Sequence, residues 1–318
     1  MAAQKQQDRL FMTGASGYVG SVVTELVIAE GYDVYALSRT ETSDAKLRSL
    51  GAVPVRGDLT SLDVLRRESA EADIVIHLAT AYTLGVGPYE AVMPVDIAAV
   101  DAIADALAGT GKPLIVTSGT LSAAADPTGA ETTEASPPEP KPINTRIKCE
   151  QHALALASRG IRVTGVRLAP YVYGRGGSGV KLFMGMSAQA GSVTCVDGGK
   201  NHTTVVHVND AARLYLLAAE KGKAGELFNA SGATDVTARQ IFDAIAAALM
   251  VPVRDISYKD ALAQMGETFA WFLKAENRAS GAKAVKELGW QPNGTGILDE
   301  ISKGSYQAVV ESLRKVSA

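Results

Sequence analysis

Three glycines near the start of the chain, Gly14, Gly17 and Gly20, are spaced to hold a phosphate group. They follow an apolar stretch, residues 10–13, and precede a helical pattern of apolar residues that Gly31 ends. A strand, a glycine turn and a helix bring backbone N–H groups and the positive end of a helix dipole together. A glycine leaves no Cβ where phosphates approach the backbone or where the helix packs on the strand. We therefore predict a dinucleotide site whose pyrophosphate binds the turn at Gly14, Ser16, Gly17, Tyr18, Val19 and Gly20.

Arg39 stands where the second predicted strand ends, beside the expected adenosine ribose. An acid at this place binds the 2′-hydroxyl of NAD, whereas an arginine suits the 2′-phosphate of NADP. The sequence offers Ser38 and Arg39 and no acid at that point. A guanidinium holds a phosphate with two charge-assisted hydrogen bonds. The pattern favours NADP(H) over NAD(H), with a solvated surface position for Arg39 as the alternative.

Alternating strands and helices must position these residues. Apolar runs predict strands at residues 33–37, 53–55, 74–78, 114–117 and 161–166, and another β-like run covers residues 203–208. Helical patterns cover about 89–108, where Pro94 is expected to break or kink the helix, and about 145–158. This alternation predicts an α/β fold: a doubly wound parallel sheet (Rossmann) with a smaller, mainly helical C-terminal substrate domain.

We expect the dinucleotide-binding domain to span residues 8–175, completed by 203–232. The substrate-binding region would then span residues 233–318 together with 176–202. The proline-rich stretch 123–143 is predicted to be a surface loop. Four apolar side chains of the later region suggest a substrate pocket, although core packing explains them equally well: Met265, Phe269, Trp271 and Phe272.

Composition excludes several classes of protein. The 318 residues carry a net charge of −3. A nucleic-acid-binding protein would normally show a basic patch, and the composition gives no sign of one. The two cysteines, Cys149 and Cys195, are far apart and predict neither a disulfide framework nor a metal site. Residues 1–9 are polar, so no signal peptide is expected, and no apolar stretch is long enough for a membrane span. We expect a cytoplasmic protein with a small-molecule substrate.

The chain resembles the extended, epimerase/dehydratase-type short-chain dehydrogenases/reductases. The matching segments run in order along nearly the whole chain: TGASGYVG at 13–20, GDL at 57–59, HLA at 77–79, TSG at 117–119, RLAPYVYG at 167–174, VHVNDAA at 206–212 and LGWQP at 288–292. The resemblance implies that Asp58 and Leu59 contact adenine and that Leu78 and Ala79 line the cofactor. Thr117 is a further expected cofactor contact. By the same resemblance Pro170 lies near the nicotinamide carboxamide, and dimerisation, common in this family, leaves a homodimer open.

One position departs from the family pattern. Family enzymes carry Tyr-x-x-x-Lys on the helix before the sixth strand, with both side chains on one helix face. The lysine holds the nicotinamide ribose and lowers the tyrosine pKa, so that the phenol can exchange a proton. Here the lysine is Lys148, but Asn144 stands four residues before it. An amide cannot act as the general acid.

Another group must therefore protonate a reduced substrate. Ser118 follows the fifth strand and could orient the substrate with Asn144, although a strand-capping role is equally open. Tyr82, just after HLA, is the first candidate proton donor, followed by Tyr171 and Tyr173. Tyrosines at such positions often pack with a satisfied hydroxyl. His207 lies in an apolar strand and is more readily structural, and a water near Lys148 and Ser118 is another source.

The leading hypothesis is an NADPH-dependent reductase of a carbonyl or another polarised double bond in a small organic molecule. A second is a redox-inactive NADP-binding sensor or scaffold, which the missing tyrosine supports and Lys148 opposes. A third is a non-redox isomerase or dehydratase of the same fold. Fold alone does not separate them.

Overall fold

The computed structural model describes residues 8–83 and 86–317, which form two compact units. The first contains the chain up to Ser118, Asn144–Arg167 and Ala212–Phe228. The second contains Gly119–Ile143, Leu168–Ala211 and the chain from Asn229 onwards. The predicted boundaries differ from these units, because residues 119–143, 168–175, 203–211 and 229–232 belong to the second unit.

In the described residues the strands are β1 (Arg9–Thr13), β2 (Asp33–Ser38), β3 (Val53–Arg56), β4 (Ile74–His77), β5 (Pro113–Gly119), β6 (Arg162–Leu168), β7 (Tyr171–Tyr173), β8 (Val193–Val196), β9 (His202–His207), β10 (Glu226–Ala230), β11 (Ala233–Thr237) and β12 (Val253–Ile256). The α-helices are α1 (Tyr18–Ala29), α2 (Glu41–Ser49), α3 (Leu62–Glu71), α4 (Met93–Leu107), α5 (Arg146–Ala155), α6 (Ser178–Ala190), α7 (Val208–Lys221), α8 (Ala238–Leu249), α9 (Tyr258–Lys274), α10 (Ala282–Leu288), α11 (Ile297–Lys303) and α12 (Gln307–Ser317).

The described chain builds a central seven-stranded sheet in the order β10, β6, β5, β4, β1, β2, β3. Strand β1 pairs in parallel with β2 and β4, so that Leu10 lies beside Val34 on one side and Ile74 on the other. All four residues of β4 are buried, as expected for a parallel strand covered on both faces. The predicted doubly wound sheet is confirmed, and the carboxyl ends of β1, β2, β4 and β5 meet at one edge.

The helical pattern at residues 89–108 is interrupted just before Pro94, where the sequence predicts a break or kink. The pattern at residues 89–108 is divided into a 3₁₀ turn, Tyr89–Ala91, and the regular helix α4. Pro94 lies in the first turn of α4 and does not kink it. A proline is tolerated there because the first N–H groups of a helix have no helical acceptor. The helix then buries Ala99, Val100 and Ile103 and packs against α3.

The second unit contains two small sheets and most of the later helices. Strand β9 pairs antiparallel with β11 and in parallel with β7, while β8 pairs with β12. The strand predicted near residues 203–208 therefore exists, but its hydrogen bonds place it in the second unit. Phe242, Ile245 and Leu249 of α8 belong to the core of this unit, where Tyr171 is also buried.

Among residues 8–83 and 86–317, no helix combines the length and apolar character needed to cross a membrane.

Candidate functional site

The glycine turn after β1 is held by contacts that only glycine allows. Gly14 has a φ of +73°, and a Cβ there would lie 2.9 Å from the backbone nitrogen of Ala79. A Cβ on Gly20 would lie 2.0 Å from the carbonyl oxygen of Gly14, far inside van der Waals contact. The turn therefore needs Gly14 for its conformation and Gly20 for the packing of α1.

The N-terminus of α1 opens at this turn. Its N-cap is Gly17, which has no side chain to cap the helix and whose N–H donates to the carbonyl of Gly14 at 3.0 Å. In the described helix no acidic side chain lies in the first turn. The partial positive charge of this helix end is therefore left without a neutralising side chain from the helix.

A groove of about 340 Å³ lies in the first unit, where β1 to β4 end. The predicted cofactor residues that line it are Gly14, Ser16, Gly17, Arg39, Asp58, Leu59 and Ala79. It is completed by Leu37, Ser43, Thr60, Thr80, Ala81 and Val95. The other predicted contacts of this unit are not among the described residues that line the groove: Tyr18, Val19, Gly20, Leu78, Thr117 and Lys148.

Two basic side chains, Arg39 and Lys46, lie beside the groove. Arg39 is exposed and lines the groove, and within the described part of the chain its guanidinium makes no hydrogen bond or ion pair. Helix α2 begins nearby, where the Thr40 hydroxyl oxygen accepts the Ser43 N–H. Lys46 donates to the carbonyl of Ser16 at 2.7 Å. Two cations therefore lie beside the groove, whereas Glu41 and Asp44 in the first turn of α2 offset the positive charge of that helix start.

Asp58 supplies a carboxylate to the same groove. Hydrogen bonds from the side chain and backbone of Thr60 hold the pKa of Asp58 below its usual value, and Ser61 adds to this lowering. The Thr60 hydroxyl lies 2.6 Å and its N–H 2.8 Å from Oδ1. Asp58 is thus an ionised residue with a fixed orientation.

A smaller cavity of about 40 Å³ shares Ala79 and Thr80 with the groove and could hold a water-sized group. It lies where β4 and β5 end, beside α4 and α5. Its polar lining is His77, Thr80, Tyr89, Asp96, Thr117, Ser118, Arg146, Cys149 and Glu150. We call it the polar cavity.

A buried ion pair forms one wall of the polar cavity. Arg167 donates to Glu150 through Nε, at 2.8 Å, and through a terminal nitrogen, at 2.5 Å. The Ser118 hydroxyl donates to the same carboxylate. The predicted catalytic hydroxyl therefore has its proton engaged with Glu150 and presents only its lone pairs to a ligand.

Asp96 organises the opposite wall. Its Oδ1 accepts the Ala81 N–H at 2.6 Å, and its Oδ2 accepts hydrogen bonds from Thr80, at 2.6 Å, and Tyr89, at 3.0 Å. The Tyr89 oxygen also lies 3.0 Å from the Cys149 sulfur. Burial, together with Cys149 and Asp96, raises the pKa of Tyr89 far above its usual value. Tyr89 is therefore a neutral donor that fixes Asp96.

The strand ends supply two more polar groups, the buried His77 and the half-buried Thr117. The His77 ring nitrogen Nδ1 lies 2.8 Å from the Thr13 hydroxyl, and burial lowers the pKa of His77 to about 4. Thr117 donates to the His77 carbonyl at 3.0 Å and contacts the Tyr215 hydroxyl at 2.9 Å. His77 is therefore neutral at pH 7, and Thr117 joins β4 to α7.

The face of α5 that lines the polar cavity carries Arg146, Cys149, Glu150 and Ala153. These positions follow the i, i+3, i+4, i+7 spacing of one helix face. Lys148 lies off this face and is exposed. Hydrogen bonds from the backbone of Glu90 itself and from Thr145 lower the pKa of Glu90, and the charge of Lys148 adds to this lowering. The structure thus places Arg146, not Lys148, at the cavity.

Asn144 precedes α5 and is not part of it. Its Oδ1 accepts the N–H of Arg146 at 3.1 Å, and Thr145 is the N-cap residue. The family geometry, in which residues four apart share one helix face, therefore does not apply to Asn144 and Lys148. Their predicted roles in orienting substrate and ribose stay predictions.

The tyrosine candidates differ in their surroundings. Tyr82 is half-buried in the first unit and packs edge-on against Tyr89, with ring centroids 5.7 Å apart. In the second unit Tyr171 is buried, and Tyr173 donates to the carbonyl of Thr295 at 2.8 Å. Burial raises the pKa of both Tyr171 and Tyr173. Tyr82 remains the first candidate donor.

Other predicted positions lie in the second unit. The buried His207 ring packs against Tyr173 and accepts the Asn209 N–H at 3.2 Å, which fits the structural reading of this histidine. Pro170 lies between β6 and β7.

The four predicted pocket residues divide between different surroundings within the second unit. Met265 and Phe269 line an apolar cavity of about 100 Å³, while Trp271 lines another of about 290 Å³. Phe272 stacks on Phe183 in the core, with ring centroids 6.2 Å apart. These residues therefore do not line one common pocket.

Sequence reasoning missed most of the polar cavity. Tyr89, Asp96, Arg146, Cys149 and Glu150 come from three separate segments that only the folded chain brings together. The available signal was the helical spacing of residues 146, 149 and 150, which places a cation, a thiol and a carboxylate on one face.

The residues present fit a dinucleotide. The cradle at Gly14 and Gly17 lacks side chains where a pyrophosphate would approach, and the uncapped start of α1 faces it. The fold and the groove together define a dinucleotide-binding protein of the Rossmann type.

The comparisons with known proteins give the family. Residues 10–231 match the model of the NAD dependent epimerase/dehydratase family. The chain is 32% identical to an uncharacterised protein of Schizosaccharomyces pombe, over 94% of this chain and 99% of that one. It is 28% identical to a decarboxylating sterol-4-alpha-carboxylate 3-dehydrogenase of Dictyostelium discoideum, over 73% and 74% of the two chains. The chain belongs to the NAD-dependent epimerase/dehydratase family, whose members are NAD(P)-dependent enzymes.

A solved structure supports the fold. The UDP-glucose 4-epimerase of Thermotoga maritima, solved with UDP-glucose, superposes with a TM-score of 0.76 at 21% identity. The match covers 98% of this chain and all of that one. The predicted family resemblance is confirmed.

Proposed function

We propose that this protein is an NADPH-dependent reductase of a carbonyl or another polarised double bond in a small organic molecule. The observation that carries the cofactor preference is Arg39, a guanidinium with no partner in the described chain that lines the groove after β2. An arginine at this place suits a 2′-phosphate, and Lys46, which donates to the carbonyl of Ser16, adds positive charge beside the groove.

The polar cavity supports reduction as the reaction. It shares Ala79 and Thr80 with the groove and carries hydroxyl groups, a thiol and a guanidinium. A substrate carbonyl carbon would receive a hydride supplied by NADPH, while its oxygen takes up a proton, giving an alcohol and NADP⁺. The Dictyostelium relative is named a dehydrogenase, the same reaction class in the opposite direction.

The proton would come from Tyr82 or from water. Tyr82 follows β4, is half-buried and packs against Tyr89. Tyr89 is a weaker acid because its pKa is raised far above the usual value by burial and by its Cys149 and Asp96 neighbours. Ser118 would accept a hydrogen bond from the hydroxyl of the alcohol product or from another hydroxyl of the substrate, since its own proton is engaged with Glu150 and is not offered to the carbonyl oxygen.

A redox-inactive NADP-binding sensor or scaffold is the second candidate. It is favoured because Ser118 and Tyr89, two hydroxyls of the polar cavity, are both committed to buried carboxylates. A non-redox isomerase or dehydratase is the third, in keeping with the name of the epimerase/dehydratase family. A cytoplasmic location and a homodimer belong to the same proposal.

The cofactor test compares NADPH and NADH binding in the parent, Arg39→Ala and Arg48→Ala. Arg48 is exposed on α2 and is not among the described residues that line the groove. We expect Arg39→Ala to weaken NADPH binding about ten- to hundredfold through loss of charge-assisted hydrogen bonds. The affinity of Arg39→Ala for NADH should equal that of the parent, and Arg48→Ala should bind both cofactors as the parent does. Equal affinity for both cofactors, unaltered in Arg39→Ala, would refute the preference.

The activity test follows NADPH consumption over a panel of aldehydes, ketones, imines and enones. The reductase hypothesis expects turnover of at least one class, reduced in Tyr82→Phe if Tyr82 is the acid. Turnover that is unaltered in Tyr82→Phe would leave water as the proton source. Intact NADPH binding without turnover of any class would favour the sensor.

A further inference from the structure

The guanidinium of Arg146 lines the polar cavity with its hydrogen-bonding capacity unused. Its carbon lies over the Tyr89 ring, 5.8 Å from the centroid, and the side chain is half-buried. Within the described residues this side chain makes no hydrogen bond or ion pair. A guanidinium has five N–H donors and cannot be deprotonated in a protein, so a half-buried one without protein acceptors keeps these donors available to a ligand.

The two carboxylates of the polar cavity are already satisfied by other groups. Glu150 is held by Arg167 and Ser118, and Asp96 accepts three hydrogen bonds. Arg146 is thus the cation in this cavity whose charge is left available to a ligand.

The position of Arg146 in its helix strengthens this reading. It is the first residue of α5, and its first turn also carries Lys148 and contains no acidic residue. Helix α2 shows the usual arrangement, with Glu41 and Asp44 in its first turn and basic residues in its last. Two cations at the positive end of a helix dipole oppose each other and the dipole. The Glu90 carboxylate, which accepts the Thr145 N–H at 3.0 Å and feels the charge of Lys148, offsets part of this charge, and an anion bound at Arg146 would offset more of it.

We propose that Arg146 is an oxyanion-binding residue of the substrate site. Its ligand is an anionic oxygen, either a carboxylate that the substrate already carries or the oxygen that becomes charged as a carbonyl is reduced. The planar guanidinium binds such an oxygen by charge-assisted hydrogen bonds and does not supply the proton. This inference rests on the proposed reductase function because it concerns the same site.

The binding arm uses sodium formate, a carboxylate small enough for the polar cavity. Isothermal titration calorimetry is run on the protein alone and on the protein saturated with NADP⁺. We expect Arg146→Met to weaken formate binding about ten- to hundredfold, because a hydrogen bond to a charged group is lost. The formate affinity of Arg146→Lys should lie between those of the parent and Arg146→Met, because lysine keeps the charge but lacks the planar, two-pronged donor geometry of the guanidinium. The control is Arg159→Met, whose exposed arginine pairs with Asp105.

The kinetic arm uses the neutral aldehyde that the parent reduces fastest in the panel. Formate binding that depends on Arg146 supports the inference with a substrate carboxylate as the ligand. Absence of formate binding, with kcat lowered at least about tenfold in Arg146→Met and with KM and NADPH affinity unchanged, supports it with the developing oxyanion as the ligand.

Three results overturn the inference. One is formate binding and kcat in Arg146→Met equal to those of the parent. Another is a loss of formate binding or of kcat that Lys148→Met produces and Arg146→Met does not. The third is the absence of both formate binding and turnover in the parent. A parent that reduces no compound of the panel but binds formate through Arg146 would refute the reductase proposal alone. Circular dichroism of Arg146→Met and Arg146→Lys separates a lost ligand contact from a lost fold.

Discussion

The groove and the polar cavity adjoin each other in the first unit but are built differently. The groove is shaped by backbone: a glycine turn, a helix start without a side-chain cap and the ends of four neighbouring strands. The polar cavity is shaped by side chains from β4, α4, β5 and α5 that satisfy one another, as in the contacts of Glu150 and Asp96. A backbone site depends on steric space at single positions, whereas the side-chain site depends on buried charges keeping their partners.

The arginines of the first unit show the same contrast. Arg167 is buried and pairs with Glu150 through two of its three guanidinium nitrogens, so its main effect is expected on stability. Arg39 lines the groove and Arg146 lines the polar cavity. Within the described chain, neither guanidinium makes a hydrogen bond or an ion pair. A paired arginine and an unpaired one therefore predict different consequences of mutation: loss of stability in the first case and loss of ligand binding in the second.

The largest effect is expected in the groove, from Gly20→Ala. The new Cβ would lie 2.0 Å from the Gly14 carbonyl oxygen, so the turn or α1 must move. We expect the unfolding free energy to fall by more than about 4 kcal/mol, or the protein not to fold. Denaturant unfolding measures this. The control is Gly185→Ala in α6, where a Cβ meets nothing within 4 Å, and where alanine should stabilise by up to about 1 kcal/mol.

In the polar cavity, Arg167→Met should be the most destabilising change. It leaves the Glu150 carboxylate buried without its cation, which costs about 3–5 kcal/mol. The double variant Arg167→Met/Glu150→Gln should recover part of this, because the unpaired charge is gone. Arg213→Met, which removes an exposed ion pair with Glu30, should cost no more than about 1 kcal/mol. Equal costs for the two arginines, measured by chemical denaturation, would contradict the buried pairing.

The third effect depends on pH and concerns His77. Its folded pKa of about 4 lies below the ordinary 6.5, so the unfolded chain binds the proton more readily. The contribution of neutral His77 to the unfolding free energy is therefore fully present above pH 6.5. It is lost as the pH falls towards 4, and it changes little below that value. The loss attributable to His77 is about 3 kcal/mol.

Unfolding free energies at pH 7 and at pH 4 check this for the parent and for His77→Gln. The parent should lose more stability than the variant over this range, since the variant has no imidazole to protonate. An identical loss in both proteins would show that His77 does not titrate between these values.

The smallest effect is expected for Lys148→Met. The side chain is exposed and lies off the face of α5 that lines the polar cavity. We expect the unfolding free energy to change by no more than about 0.5 kcal/mol. Thermal unfolding measures the change, and a loss comparable to that of Arg167→Met would show that the helix face has been assigned incorrectly.

Much of the central fold could be predicted from the sequence because its signals are local. The apolar run of β4 and the glycine turn after β1 each lie within about ten residues and need no distant partner to be recognised. The strand near residues 203–208 shows the limit of such signals. Its apolar pattern predicts a strand correctly, but its pairing with β7 and β11 depends on residues far away in the chain.

Pro94 and Lys148 show a different limit. A proline in a helical pattern predicts a break, yet where the helix starts decides whether the proline disrupts it or begins it. The spacing between Asn144 and Lys148 predicts a shared helix face, but α5 begins only at Arg146. A shift of two residues turns a side chain by more than half a helical turn, from the cavity to solvent.

The sequence by itself determined the family fold, the glycine cradle and the placement of Arg39 at the groove, because each depends on short-range spacing and on backbone sterics. The tertiary structure alone decided that Ser118 donates to a buried ion pair and that Tyr89 fixes Asp96. It also decided that Arg146 is the cation at the polar cavity. These assignments depend on which side chains meet after folding, and buried charges take as partners whichever groups the packing brings within hydrogen-bond distance.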